Sequence, residues 1–297
     1  MLRLKASQRQ PPSSGAGRSM GEGQRVALVI GSGGVKCAAA VGLWRVLREH
    51  DVPVDSIVGC SGGSVYGAGI AFGLDPEEQM RLSSALWTTN VMQGYSTNVK
   101  ASRDGTLRFN ERSGLAEDQA LNAALRALLG DRTFDDLQVP LKVVATDLYD
   151  GEKVVLSAGP LFDAVRASVA VPIIFPPWEV EGRLLTDGGA SDPLPVDVAI
   201  QDRADIIVAM GFPLSYRTRF RSITAVQEQL NSIYVNNILN ATYAFHNLAH
   251  HAEIFPVIPN LDGQYSMFDV GRMPEIVAAG EQAAREQLPH ILRLLSS

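Results

Sequence analysis

Ser61 lies in Gly59-Cys60-Ser61-Gly62-Gly63, a G-x-S-x-G spacing that suits a serine to attack on an acyl carbon. Glycines two residues to either side let a strand and a helix pack closely about a sharp turn, and the turn pushes the hydroxyl outward. A hydroxyl is a weak nucleophile at neutral pH, so attack also requires a base within hydrogen-bond reach and donors for the oxyanion that forms. Two further glycine-flanked stretches offer these parts. Gly31-Ser32-Gly33-Gly34-Val35-Lys36 can turn backbone N–H groups toward an anion, with Lys36 as an added anion contact, and Asp187-Gly188-Gly189 sets a carboxylate at a turn.

The glycine-rich turn has two rival readings, and spelling tests both. A Walker loop requires G-x-x-x-x-G-K-[ST], but Lys36 is followed by Cys37 and stands two residues beyond Gly34. A dinucleotide fingerprint that starts at Gly31 requires glycine or alanine where Lys36 stands. The reading that remains is an oxyanion cradle for Ser61.

Histidine is the usual base, and the chain has His50, His246, His250, His251 and His290. The order serine, acid, histidine would draw on His246, His250 or His251, yet these fall in a run from Ser222 to Ala252 that reads as helix. Ser61 also follows one strand and one helix, too early for an α/β-hydrolase, so the plainer reading is surface or satisfied histidines. Asp187 closes the short apolar run Arg183-Leu184-Leu185-Thr186 and opens a turn. Taken alone, Asp-Gly-Gly reads first as a turn; beside a serine in a water-poor cleft, its carboxylate gains the basicity to take the proton.

The elements that must position these residues follow from periodicity. Strands are expected at 25–31, 54–60, 140–147, 152–157, 183–187, 205–211 and 253–258, with helices at about 36–50, 62–73, 76–88, 116–130, 161–168, 193–201, 222–250 and 272–295. Strands separated by helices imply a three-layer α/β/α fold with a mainly parallel central sheet, in which the turns after the first two strands open at one edge.

The three motifs, in this order, resemble the patatin-like phospholipase family in its compact bacterial form. The likeness runs over residues 25 to 290 and takes in Ala145-Thr146-Asp147-Leu148 and Ala170-Val171-Pro172-Ile173-Ile174-Phe175-Pro176-Pro177. It implies a serine–aspartate dyad that hydrolyses acyl esters of lipids without metal or cofactor. Ser61 would be the nucleophile, Asp187 the base, and the amides of Gly33, Gly34 and Val35 the oxyanion hole. The family's loop commonly reads G-G-G-x-R/K-G; here Ser32 replaces its first glycine and Cys37 its last, while Lys36 keeps the basic position.

With 297 residues and 46% hydrophobic content, the chain can bury the core of one domain over residues 24–297. Residues 1–23 hold Arg3, Lys5, Arg9 and Arg18 with no apolar run and read as a disordered tail. They lack the hydrophobic stretch of a secretory signal. Cys37 and Cys60 make neither a disulfide framework nor a C-x-x-C metal spacing, and Cys60 reads as small buried filler. The location expected is cytoplasmic, with peripheral membrane contact where the substrate requires it.

A net charge of −6 speaks against nucleic-acid binding. The basic cluster Arg217, Arg219 and Arg221 is interleaved with Tyr216 and Phe220, as solvated surface or as a contact for lipid phosphate. Residues 87–110, with Trp87, Met92, Tyr95 and Phe109, read as a lid over an acyl pocket or as a packed crossover. The expected partner is therefore a lipid acyl ester. The rivals are an acyltransferase on the same dyad and a regulatory or adaptor protein on this scaffold.

Overall fold

The computed structural model describes residues 24–84, 86, 110–116, 118–221, 223–249, 252–261 and 270–296. The expected tail 1–23, the segment 87–109 and His250 and His251 lie outside the described residues, as does the side chain of His246.

The elements run β1 (Val26–Ile30), α1 (Ala39–Glu49), β2 (Ser56–Cys60), α2 (Gly62–Ala71), α3 (Pro76–Ser84), α4 (Gln119–Leu129), β3 (Leu141–Asp147), β4 (Lys153–Leu156) and α5 (Leu161–Ser168). They continue with β5 (Trp178–Val180), β6 (Arg183–Asp187), α6 (Val196–Gln201), β7 (Ile206–Met210), α7 (Ile223–Ala249), β8 (Glu253–Val257) and α8 (Met273–Leu295). The strands form one sheet in the order β5-β6-β3-β2-β1-β7-β8, with β4 also on β3. β1, β2, β3, β7 and β8 are mutually parallel, and β4, β5 and β6 join by antiparallel pairing.

The β1 sequence Val-Ala-Leu-Val-Ile is buried throughout, as a central parallel strand requires. Its residues alternate between two cores. Val26, Leu28 and Ile30 join the side chains of α1, α2 and α8; Ala27 and Val29 join those of α6 and α7. Helices therefore cover both faces, as expected. On the first face α1 and α8 cross at glycines: a Cβ on Gly42 would lie 2.1 Å from the Val277 carbonyl, and one on Gly280 2.0 Å from that of Ala39.

Two details depart from the expected elements. Strand β5 is new, being too short at three residues for alternation to show. The helix expected from residue 36 begins as a 3-10 turn at Gly34–Ala38 and becomes α-helical at Ala39. Gly34, at φ 59°, bends the chain into it.

Candidate active site

The register along β3 decides where Ser61 and Asp187 meet. Val144 partners Cys60 of β2 on one edge and Val155 of β4 on the other. The next residue, Ala145, partners Val154 of β4 and Asp187 of β6. β6 therefore occupies the same edge of β3 as β2 and runs toward it. The ends of the two strands, at Cys60 and Asp187, meet head-on.

Ser61 turns out of this junction at φ 54°, ψ −128°, a conformation that costs a non-glycine residue energy and persists only where its surroundings impose it. Its N–H donates to Ser168 Oγ at 2.8 Å, and Ser168 Oγ in turn donates to the Val144 carbonyl at 2.7 Å. Its carbonyl accepts from the N–H and hydroxyl of Ser64 in the first turn of α2. So held, Ser61 Oγ donates to Asp187 Oδ2 at 2.6 Å.

Asp187 is buried, and its second oxygen accepts from the Gly189 N–H at 2.8 Å. Its own N–H donates to Ala170 and its carbonyl accepts from Thr146 Oγ1. Burial pushes the carboxyl up to about 6, against the hydrogen bonds from Ser61 and Gly189 that pull it down. At pH 7 it remains mostly ionised yet is more basic than an exposed carboxylate. A base within bonding distance of a serine hydroxyl, with a pKa near the working pH, is suited to general-base chemistry.

The glycine-rich turn packs directly behind the serine, the Gly34 carbonyl lying 2.5 Å from where a Cβ on Gly62 would stand. Within the turn the N–H groups of Gly31, Ser32 and Lys36 donate to Met210, Pro193 and Gly33. The amides of Gly33, Gly34 and Val35, at the open start of the 3-10 turn, are the donors left over among the described backbone pairs. The positive end of α2 begins at Gly62, next to Ser61.

A sequence profile of patatin-like phospholipases matches residues 28–200. The chain belongs to the patatin-like phospholipase family. It is 35% identical over 188 residues to an uncharacterized NTE family protein of Mycobacterium bovis, a match covering 63% of this chain and 49% of that one. It is 32% identical over 190 residues to patatin-like phospholipase domain-containing protein 7 of Mus musculus, covering 63% of this chain and 14% of that one. The chain thus spans about half the length of the mycobacterial relative and a small part of the mouse protein. Its fold is similar to that of human GIVD cytosolic phospholipase A2 in complex with methyl gamma-linolenyl fluorophosphonate, with a TM-score of 0.50 and 12% identity over 92% of this chain and 60% of that one.

Both departures from the patatin-like loop pack against neighbouring turns, Cys37 fully and Ser32 half-buried. Cys37 is wholly buried, its thiol donating to the Gly31 carbonyl at 3.3 Å, and Ser32 Oγ lies 3.0 Å from where a Cβ on Gly189 would stand. Cys60 completes the interlock against Gly188, 2.9 Å from where its Cβ would be. Burial raises both thiols well above the ordinary cysteine range, so they pack as neutral groups. Lys36 is buried too, its Nζ donating to the Pro213 carbonyl at 3.2 Å, and desolvation lowers its pKa. The lysine fastens the patatin-like loop to the segment after β7.

The motif residues Gly33, Gly34, Val35, Gly59, Cys60, Ser61, Gly62, Gly63, Asp187, Gly188 and Gly189 converge on this one edge of the sheet. His50 and His290 are exposed at the end of α1 and on α8. The positioning residue that the sequence reading missed is Ser168, and the signal available was a hydroxyl closing α5 after the buried run Ala164-Val165-Arg166-Ala167. α5 is itself anchored by Arg166, whose buried guanidinium donates to Asp118 and Asn122 before α4 and in it, at 2.7 Å each, and stacks over Trp178.

Proposed function

We propose that this chain is a serine acyl hydrolase that cleaves acyl esters of lipids through an acyl-enzyme, with Ser61 as nucleophile and Asp187 as base. The observation that carries this reading is the 2.6 Å hydrogen bond from Ser61 Oγ to a buried aspartate whose pKa is raised to about 6. Family membership supports the class of substrate. Asp187 takes the Ser61 proton as the hydroxyl oxygen attacks the acyl carbonyl. The amides of Gly33, Gly34 and Val35 receive the oxyanion, and the proton passes from Asp187 to the departing alkoxide. Asp187 then deprotonates a water that attacks the acyl-serine, releasing the fatty acid and restoring the Ser61 hydroxyl. A phospholipase A-type cleavage of a glycerophospholipid is the specific form we favour. Residues 24–297 act as one domain in this reading, and the two free, buried thiols fit a reducing cytoplasm.

Intact-mass measurement after treatment with a fluorophosphonate tests the dyad. Wild type should gain one phosphonyl adduct, and Ser61→Ala and Asp187→Ala should gain none. A folded wild type that takes up no adduct would overturn the reading and favour the regulatory alternative.

A further inference from the structure

Helix α7 buries one side and carries an apolar stripe on the opposite one. Its core-facing side carries Ser232, Val235, Asn236 and Leu239, all buried. At about 100° per residue, Ile223, Val226, Leu230 and Tyr234 fall within an arc of roughly 80° on the reverse side, and all four are exposed, Ile223 by 89%. Between Ile223 and Phe245 the charged side chain is Glu228 alone, so the reverse side is not the charged face expected of a surface helix.

Just before this stripe the segment after β7 presents Tyr216 and Phe220, both exposed, interleaved with exposed Arg217, Arg219 and Arg221. The segment is fixed to the helix. The Asn236 side chain brackets Leu214, accepting from its N–H and donating to its carbonyl at 2.8 Å each, and the Arg217 N–H donates to Gln229 Oε1 at 2.7 Å. It is also fixed to the oxyanion turn through Lys36 and Pro213. Because β7 lies parallel to β1 and β2, it leaves the sheet at the edge where Ser61 opens. α7 runs back from that edge to enter β8, and its later turns already reach it, Tyr243 Oη lying 2.3 Å from where a Cβ on Gly211 would stand. Among the helix's described side chains, burial begins at Ser232, and the turns before it project past the core.

We infer that residues 216–221 and 223–234 form a docking surface for an anionic phospholipid membrane, which presents the catalytic edge to the bilayer. Aromatic and aliphatic side chains enter the interface while arginines contact lipid phosphates, the combination by which interfacial helices bind. Charge selects this occupant: the basic cluster is concentrated here on a chain of net charge −6, which would otherwise be repelled. The purpose of the surface rests on the lipid-hydrolase reading; its existence does not.

The test is co-sedimentation of the full chain, in a Ser61→Ala background that cannot consume lipid, with phosphatidylcholine vesicles and with vesicles of equal parts phosphatidylcholine and phosphatidylglycerol. Binding to the anionic vesicles is expected. It should weaken about ten-fold or more in Arg219→Glu/Arg221→Glu and in Ile223→Asp/Leu230→Asp, and persist in Arg48→Glu, an exposed charge reversal on α1. Thermal melts establish that each variant is folded, and analytical ultracentrifugation establishes its oligomeric state. No binding by the parent, equal binding by the paired variants, or an equal loss in Arg48→Glu would overturn the proposal. So would a dimer dispersed by Ile223→Asp/Leu230→Asp, which would assign the stripe to a second copy of the chain. Failure of binding with fluorophosphonate labelling of wild type intact would sink the surface and spare the dyad; the converse would sink the dyad alone.

Discussion

Ser61 and Asp187 are 126 residues apart in the chain and joined by a hydrogen bond of 2.6 Å, because β2 and β6 end against adjacent residues of one strand, Val144 and Ala145. The dyad is thus set by the register of the sheet. A displacement of β6 by one residue would turn the Asp187 side chain to the other face.

The first prediction concerns chemistry. Asp187→Asn preserves the shape of the junction but removes the base, and hydrolysis of a short-chain ester should fall by about 10²–10⁴-fold. Steady-state kinetics should place the loss in kcat. A variant that keeps more than a tenth of wild-type kcat would mean that another group takes the Ser61 proton.

A second prediction is the acid limb of the rate. With the Asp187 pKa at about 6, its protonated form, which cannot accept the serine proton, dominates below that pH. The kcat/KM profile should therefore fall with acidification through about pH 6 and lack a limb near pH 4.

The same residue has an opposite effect on stability. The folded-state pKa exceeds the ordinary value of 3.8, so the folded chain holds the proton more tightly. The stability this contributes is full below the unfolded pKa and is lost as pH rises through about 6. The penalty of the buried charge above that pH is about 3 kcal/mol. Asp187→Asn should consequently melt higher than wild type well above pH 6, and the difference should vanish near pH 4.

Ser168→Ala would leave the buried Ser61 N–H without its acceptor, at a cost of roughly 1–3 kcal/mol. Since that bond restrains a strained backbone, kcat should fall as well, and Ser168→Thr should restore part of it. A stability loss without a change in kcat would make Ser168 structural only.

Packing supplies the last mutational test. Gly280→Ala places a methyl group 2.0 Å from the Ala39 carbonyl, and urea denaturation should register about 1–3 kcal/mol of destabilisation as α8 is forced away from α1.

The turn that carries Ser61, the proposed nucleophile, was legible in the sequence because its signal is local: a strand, a strained turn and a small-residue helix occupy consecutive residues from Ser56 to Ala71. Asp187 was harder to find, since Asp-Gly-Gly also spells an ordinary turn. The direction of β6 had no local signal at all. Alternation of apolar residues gives the face of a strand, not whether its partner runs with it or against it. Ser168 and the Lys36–Pro213 contact were equally hidden, each depending on segments that meet only in three dimensions. The reverse stripe of α7 could have been found, given that Ile223, Val226, Leu230 and Tyr234 keep helical spacing, but spacing alone does not say which side of the helix faces the core.

The placement of β1 between β2 and β7 bears on how far this fold can be trimmed. The family match ends at residue 200, before β7, yet β7 pairs with every residue of β1 and its Met210 carbonyl accepts the Gly31 N–H. A fragment cut at that boundary would bare the edge of the wholly apolar strand β1 beside the glycine-rich turn. Such an edge recruits the edges of other chains, and the shortened protein is expected to aggregate where the full chain stays dispersed, which light scattering would register.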